Sequence, residues 1–309
     1  MKTPSFAQRT LARTALAFGL MTGVSAHAAL RNIDEHRAVE PQGTVEIVNV
    51  SGRIEVVGWD KDELSVTGTI GEDTERVDIS TAVGRTTVRV LTRKDSSGWH
   101  FGSGYESARL TLHLPKRSGL SASLVSSDIA VTGIGGDEDI HTVSGDVTAA
   151  GQRELRVRTV SGDVHLTVGP DSRLLEVVTV SGDVHVTGGA GDVSVSTVSG
   201  DAALGLGALS RGNFKTVSGD FRAGLDLRSD GRLEAESVSG DVAITFAGAV
   251  PPAEFELRAF SGDLSTCFGP KPATETYGPG SHLRFTQGAG TARVHIDTKS
   301  GDVTLCTKK

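Results

Sequence analysis

The sequence predicts an all-β fold, a right-handed parallel β-solenoid (β-helix) whose turns are about 19 residues long. Three observations predict it. The pentapeptide Thr-Val-Ser-Gly-Asp occurs five times, apolar and polar residues alternate on both sides of it, and glycine is abundant whereas aromatic residues make up only 5%. Because so short a unit cannot enclose a core alone, it must stack on further copies.

The serine of this motif sets the period of the predicted solenoid. Between Ser126 and Ser261 it recurs every 17 to 22 residues, a spacing typical of a repeat architecture. A β-sandwich is the alternative, but its sequential hairpins need not repeat one motif in one register. The motif serines, including a variant Ser-Gly-Arg and a variant Ser-Ser-Asp, are Ser51, Ser126, Ser144, Ser161, Ser181, Ser199, Ser218, Ser239, Ser261 and Ser300.

Each unit is predicted to be a strand, a corner and a second strand. In residues 155–166 the apolar residues lie at odd positions before the motif, as in Leu155 and Val157, and at even positions from Val160 on, as in Val164. A strand cannot change face without a bend or bulge. We therefore expect the valine that precedes each serine to face the core and the polar residues to face water. Right-handed coiling is the default for parallel crossovers.

The chain is predicted to have three parts. Residues 1–28 are expected to be a signal peptide, with Lys2, Arg9 and Arg13 before an apolar run that is too short to span a membrane. Residues 29–119 are expected to form degenerate β turns or a cap, and residues 120–309 the Ser-Gly-Asp solenoid with a disulfide-held last turn. The protein is therefore expected to be exported to the periplasm, the cell surface or the medium.

The two cysteines are predicted to form a disulfide between adjacent turns. Cys267 lies six residues after Ser261, and Cys306 lies six residues after Ser300, so they occupy equivalent positions. A disulfide needs Cα atoms about 5.5 Å apart, which fits neighbouring turns only. The residues between the two serines should therefore be one turn with a long insertion, and export permits the bond.

Three segments together resemble a known family. They are Val50–Asp60 (VSGRIEVVGWD), the Thr-Val-Ser-Gly-Asp array and Ala292–Leu305 (ARVHIDTKSGDVTL). They resemble a bacterial β-strand-repeat family of unknown function that is labelled "putative adhesin". The resemblance covers about residues 40–306 and implies an exported, non-enzymatic β-solenoid, with no functional residues to carry over. Lys299 stands where other units have Val or Phe, so we expect a polar capping turn at the end.

The motif aspartates are candidates for cation binding, because stacking would place them in one outward column. Carboxylates about 5 Å apart repel by about 0.8 kcal/mol per neighbour even in water. Backbone N–H groups around the corner would offset this repulsion, and so would bound calcium. A structural ladder is favoured, since one Asp and one Ser per turn supply few of calcium's ligands, and no other cofactor is expected. The candidate calcium column is Asp146, Asp163, Asp183, Asp201, Asp220 and Asp241.

A glycine–serine loop, Asp95–Ser107, is the candidate partner-binding loop. It carries Trp99, Phe101 and Tyr105. Exposed aromatic side chains in such a loop bind glycans or proteins. The alternative is that the loop folds over an open sheet edge.

Catalysis is not predicted. Ser, His and Asp recur as repeat members, and nothing marks one serine as a nucleophile with its own base. His165 and His185 are equivalent in successive units, but no third metal ligand is indicated. The enzyme alternative is a polysaccharide-active β-helix with paired acids in a groove.

The expected partners are a surface protein or a glycan. The net charge of −7 argues against an electrostatic surface for nucleic acid. Membrane insertion is not expected, because the sequence has no second long apolar run. End-to-end or edge self-association is a further expectation, because an end strand could pair with another chain. The predicted function is that of an exported, non-enzymatic adhesin or envelope scaffold.

Overall fold

The computed structural model describes residues 30–71, 73–93, 107–274 and 280–308. These residues form β-strands and no helix, which confirms the all-β prediction. No helix in this part of the chain could therefore cross a membrane. The strands are β1 Arg31–Ala38, β2 Thr44–Trp59, β3 Glu63–Ile70, β4 Thr74–Ala82, β5 Arg85–Thr92, β6 Ala108–Pro115, β7 Gly119–Thr132, β8 Glu138–Ser144, β9 Val147–Gly151, β10 Glu154–Ser161, β11 Val164–Val168, β12 Leu174–Ser181, β13 Val184–Gly188, β14 Gly191–Ser199, β15 Ala202–Ser218, β16 Phe221–Ser239, β17 Val242–Phe246, β18 Ala253–Ser261, β19 Leu264–Thr266, β20 Ala273–Thr274, β21 Ser281–Gln287, β22 Ala292–Ser300 and β23 Val303–Thr307.

Each repeat unit, or rung, has a first arm that ends at the motif serine and a second arm that follows the motif aspartate. First arms pair in parallel with first arms, and second arms with second arms. The register joins equivalent residues, so that Ser161 lies beside both Ser144 and Ser181. The ten motif serines follow one line in the order Ser51, Ser126, Ser144, Ser161, Ser181, Ser199, Ser218, Ser239, Ser300 and Ser261.

The N-terminal end of the stack is not built from repeats. β5 and β6 pair in parallel with the two arms of β2 and so form a further rung. Beyond them the pairing turns antiparallel, with β4 on β5, β3 on β6 and β1 on β3. The sheet is therefore mixed, and the handedness of its coiling stays a prediction.

The C-terminal end corrects the expectation of a capping turn. β22 lies between β16 and β18, and β23 lies between β17 and β19. The last rung in sequence is thus the last but one in space. Lys299 marks an inserted rung rather than a cap, and the antiparallel strand β21 covers β18 instead. The adjacency of Ser261 and Ser300 is confirmed.

The core consists of the inward residues of both arms. Val157 and Leu166 in one rung, for example, are almost fully buried. Phenylalanines fill the core toward the C-terminal end, where Phe214 and Phe221 stack with ring centroids 4.7 Å apart. Such a continuous core is what stacked repeats require for stability.

The corner differs from the prediction in one respect. The valine before each serine does not face the core, since Val160 is 49% exposed and its equivalents are similarly exposed. The strand changes face over four residues, Val-Ser-Gly-Asp, rather than at one bend. The glycine makes this possible: Gly162 has φ of 127°, and a Cβ there would lie 2.3 Å from the carbonyl oxygen of Gly145. The glycine therefore admits the backbone of the next rung and not a bulky side chain.

Candidate interaction surface

The motif aspartates form a hydrogen-bonded ladder. In each rung a carboxylate oxygen, Oδ1, accepts the backbone N–H of the aspartate in the next rung, as Asp163 does from Asp183 at 2.9 Å. The N···O distances along the column are 2.8–3.1 Å. The column runs Asp128, Asp146, Asp163, Asp183, Asp201, Asp220, Asp241, Asp302 and Asp263.

This ladder offsets the repulsion between the carboxylates. The Oδ1 of every aspartate except Asp263, at the end of the column, accepts a backbone N–H. Among the described residues, the column also forms ion pairs between Arg53 and Asp128 at 2.9 Å and between Arg222 and Asp220 at 2.7 Å. Calcium would therefore compete with the ladder for Oδ1 or rely on Oδ2 atoms and water. Within the described residues no group of three His, Cys, Asp or Glu side chains is arranged to hold a metal ion. Calcium binding by the candidate column stays a prediction.

An apolar stripe runs beside the aspartate column. It consists of the residue before the motif serine in each rung, and every valine in it is 39–52% exposed. The stripe is unbroken from Val50 to Val238, then Lys299 interrupts it, and Phe260 ends it with 59% exposure. Its members are Val50, Val125, Val143, Val160, Val180, Val198, Val217, Val238 and Phe260.

The sequence interpretation missed this stripe, because period-two alternation assigned the valine to the core. The signal that could have found it is the motif itself. Strict alternation would bury both Val160 and Gly162, and a buried glycine in every rung would leave a gap in the core. Aligned exposed apolar residues on this scale mark a site of interaction more often than chance scatter does.

The predicted aromatic loop lies between β5 and β6, which form one rung. β5 pairs with the first arm of β2 as far as Val48 and Arg89, and β6 starts with Ala108 beside Gly52, just after the motif serine Ser51. The loop therefore connects the two arms of this rung. Trp99, Phe101 and Tyr105 themselves lie outside the described residues.

Two clefts border the stripe on the side of the first arms. One, of about 630 Å³, lies beside Phe260 and is lined by Arg258, Leu283 and Arg284. The other, of about 430 Å³, lies beside Val217 and Val238. Charged side chains in these clefts form ion pairs, either within a rung, as Lys299 does with Asp297 at 2.6 Å, or between rungs, as Lys215 does with Glu236 at 3.1 Å.

The remaining predicted positions are in place. His165 and His185 stack with ring centroids 5.7 Å apart on the outer face of the second arms. Cys267 and Cys306 form the predicted disulfide, with Cα atoms 4.8 Å apart, between the two outermost rungs. The histidines have no third candidate ligand among the described residues.

One acidic residue occupies a core position. Glu138 lies between Leu120 and Leu155 of the neighbouring rungs and is 1% exposed. Neither of its carboxyl oxygens has a hydrogen-bond partner within the described residues. Burial raises the pKa of Glu138 to about 8, so the side chain is mostly neutral at pH 7.

Two columns of parallel strands, joined at a Ser-Gly-Asp corner, define a stacked β-strand-repeat protein. The chain belongs to the family described as Toastrack DUF4097, whose model matches residues 44–306. A comparison with curated proteins finds no match.

Three bacterial proteins are among the solved structures that are similar to the chain. A "putative cell adhesion protein" from Clostridium sporogenes is 10% identical, with 90% of this chain and 100% of that chain covered and a TM-score of 0.24. A "putative adhesin" from Bacteroides fragilis is 11% identical, with 90% and 97% covered and a TM-score of 0.36. A "putative lipid binding protein" from Parabacteroides distasonis is 11% identical, with 90% and 97% covered and a TM-score of 0.35.

Proposed function

We propose that the protein is an exported, non-enzymatic interaction protein, an adhesin or an envelope scaffold, that acts by binding along the corner of its stack. The observation that carries this proposal is the apolar stripe, which stays exposed over eight consecutive rungs from Val50 to Val238. Leaving this apolar surface in water costs about 25 cal/mol per Å², so a partner that covers it gains binding free energy.

The disulfide supports export, because such bonds persist in oxidising compartments. The rigid stack supports a scaffold role, since the register fixes every corner relative to the next. The aromatic residues Trp99, Phe101 and Tyr105, predicted from the sequence to bind a protein or glycan, are part of the same proposal. The proposed role does not require calcium in the aspartate column, and calcium binding there is the alternative to a purely structural ladder.

The test is binding of the fluorescently labelled mature chain to intact bacterial cells and to arrays of glycans and surface proteins. The variant V143S/V160S/V180S/V198S removes the centre of the stripe, and T148S/T167S/T187S/T245S is the matched control on the second arms. We expect the stripe variant to lose at least about tenfold in affinity, which corresponds to 1.4 kcal/mol, and the control to bind normally.

The enzyme alternative gives a different result in a parallel assay. Incubation with polysaccharides should release no reducing ends, either with the wild type or with a column variant such as Asp163→Asn. Turnover that one such substitution abolishes would replace the proposed function with a polysaccharide-active enzyme.

A further inference from the structure

The corner presents an apolar line and an acidic line side by side. The stripe and the aspartate column are three residues apart in each rung from Val125 to Val238, whereas the rung of Val50 has Arg53 in place of the aspartate, and both follow the same line of motif serines. With about 4.8 Å per rung, the unbroken part from Val50 to Val238 is about 34 Å long. A partner that covers one line also meets the other.

The acidic line keeps its charge available. Oδ1 of each aspartate is used by the backbone, but within the described residues Asp146, Asp163, Asp183 and Asp201 form no ion pair. The first-arm side of the stripe, by comparison, carries charges of both signs, such as Arg158, Lys215 and Glu236. A partner that lies on the stripe is therefore complementary if it places positive charges on the side of the aspartate column.

A second copy of the chain does not meet this demand. An antiparallel pair would bring two aspartate columns together, and like charges in apposition oppose association. A parallel pair would place each column against a mixed face, where Glu236 and Asp297 oppose the cations. The partner must instead supply its own cations.

The spacing selects the shape of the partner. An α-helix repeats one face every 5.4 Å, close to the rung spacing of about 4.8 Å, and a 34 Å line corresponds to about 22 helical residues. Same-face residues of a strand lie about 6.7 Å apart and would fall out of step after one or two rungs. A helix drifts by only about 0.6 Å per turn and stays in step for about four rungs, so a helix with one apolar side chain per turn follows the valines over a longer stretch than a strand does.

We infer that the corner binds a cationic amphipathic helix, whose apolar face lies on the valine stripe and whose Lys or Arg residues face the aspartate column. This inference rests on the proposed function and names the class of partner. The cleft beside Val217 and Val238 would accept a larger apolar side chain from the end of the helix that lies over these rungs.

The experiment uses the mature chain and synthetic 22-residue peptides. The probe is a Leu/Lys peptide with helical periodicity, and the controls are a scrambled peptide of the same composition and a Leu/Glu peptide. Fluorescence anisotropy measures Kd at two salt concentrations. We expect the periodic Leu/Lys peptide to bind at least about tenfold more tightly than either control.

Two variants assign the contacts. V143S/V160S/V180S/V198S should weaken the Leu/Lys peptide at least about tenfold at both salt concentrations. D146N/D163N/D183N/D201N keeps the Oδ1 acceptors of the ladder and should weaken binding mainly at low salt, because salt screens exposed charges. Thermal melts of both variants establish that they remain folded.

Three results would overturn the inference. They are equal binding of the periodic and scrambled peptides, full binding by the folded valine variant, and stripe-dependent dimers in sedimentation. If the stripe variant loses cell binding while the Leu/Lys peptide neither binds nor competes, the proposed function stands and the partner class is wrong. If the stripe variant keeps cell binding, the proposed function itself is wrong.

Discussion

The middle of the stack and its two ends hold together by different means. In the middle, each rung meets a near copy of itself, so the serine line, the aspartate ladder and the core continue without a change of register. At the ends no copy is available, and the chain uses antiparallel strands, charged edge strands such as β1, a disulfide and an altered rung order. Repetition thus specifies register well but specifies neither where a stack stops nor in which order its rungs lie.

The largest expected effect concerns the corner glycines. Gly162→Ala would place Cβ 2.3 Å from the carbonyl oxygen of Gly145 and would strain a φ of 127°, so we expect a loss of about 4 kcal/mol or more. Gly84→Ala, in the end hairpin between β4 and β5, has φ of 72° and open space around Cβ, and it should cost about 1 kcal/mol. Urea unfolding followed by circular dichroism measures both. If the two variants lost equal unfolding free energy, the close contact between rungs would not explain why the motif requires glycine.

The next effect concerns the disulfide at the C-terminal end. Cys267→Ser with Cys306→Ser should cost about 4 kcal/mol in the chain-entropy model, and the loss should be confined to the outer rungs. Hydrogen exchange should therefore rise in β18 and β19 and stay slow in β10 and β12. A reductant should speed hydrogen exchange in β18 and β19 of the wild type and should leave exchange in the double variant unchanged. Faster exchange throughout the stack would contradict the distinction between middle and end.

Glu138→Leu should stabilise the middle of the stack by about 3 kcal/mol at pH 7. The pKa of Glu138 is about 8 in the folded chain and 4.5 as its reference, so the folded state binds more protons between these values. Wild-type stability therefore falls as pH rises from 4.5 to 8, and the leucine variant should lack this part of the decline. Urea midpoints at pH 5, 6, 7 and 8 measure the difference. The stability difference between the leucine variant and the wild type should be larger at pH 7 than at pH 5. Equal differences at the two pH values would contradict a buried Glu138 with a raised pKa.

The smallest effect concerns the aspartate ladder. Asp163→Ala should cost about 1 kcal/mol, since it removes one acceptor, whereas Asp163→Asn keeps that acceptor and should stay within about 0.5 kcal/mol. A thermal melt in EDTA and then in millimolar calcium should show no shift. A calcium-dependent rise of several degrees would make the column a cation site.

The sequence predicted the repeat, the register and the disulfide, because one motif with period-two flanks leaves a single way to align equivalent residues. It did not predict the outward valine, since parity counting assumes a one-residue bend and the corner takes four. It did not predict the place of β22, because a rung with the same motif fits equally well between β16 and β18 or beyond β18. Glu138 could have been found by aligning the rungs, where it falls in the column of Leu120 and Leu155.

The inserted position of the last rung separates the order of synthesis from the order of assembly. Residues 253–266 leave the ribosome before residues 292–307, yet they pack on the far side of them. Until the C-terminus arrives, β18 and β19 face the free edge of β16 and β17, which offers the same serine register. A segment that docked there early would have to leave before β22 and β23 could insert. The outermost rung therefore finds its place only through residues 292–307, which follow it in the chain.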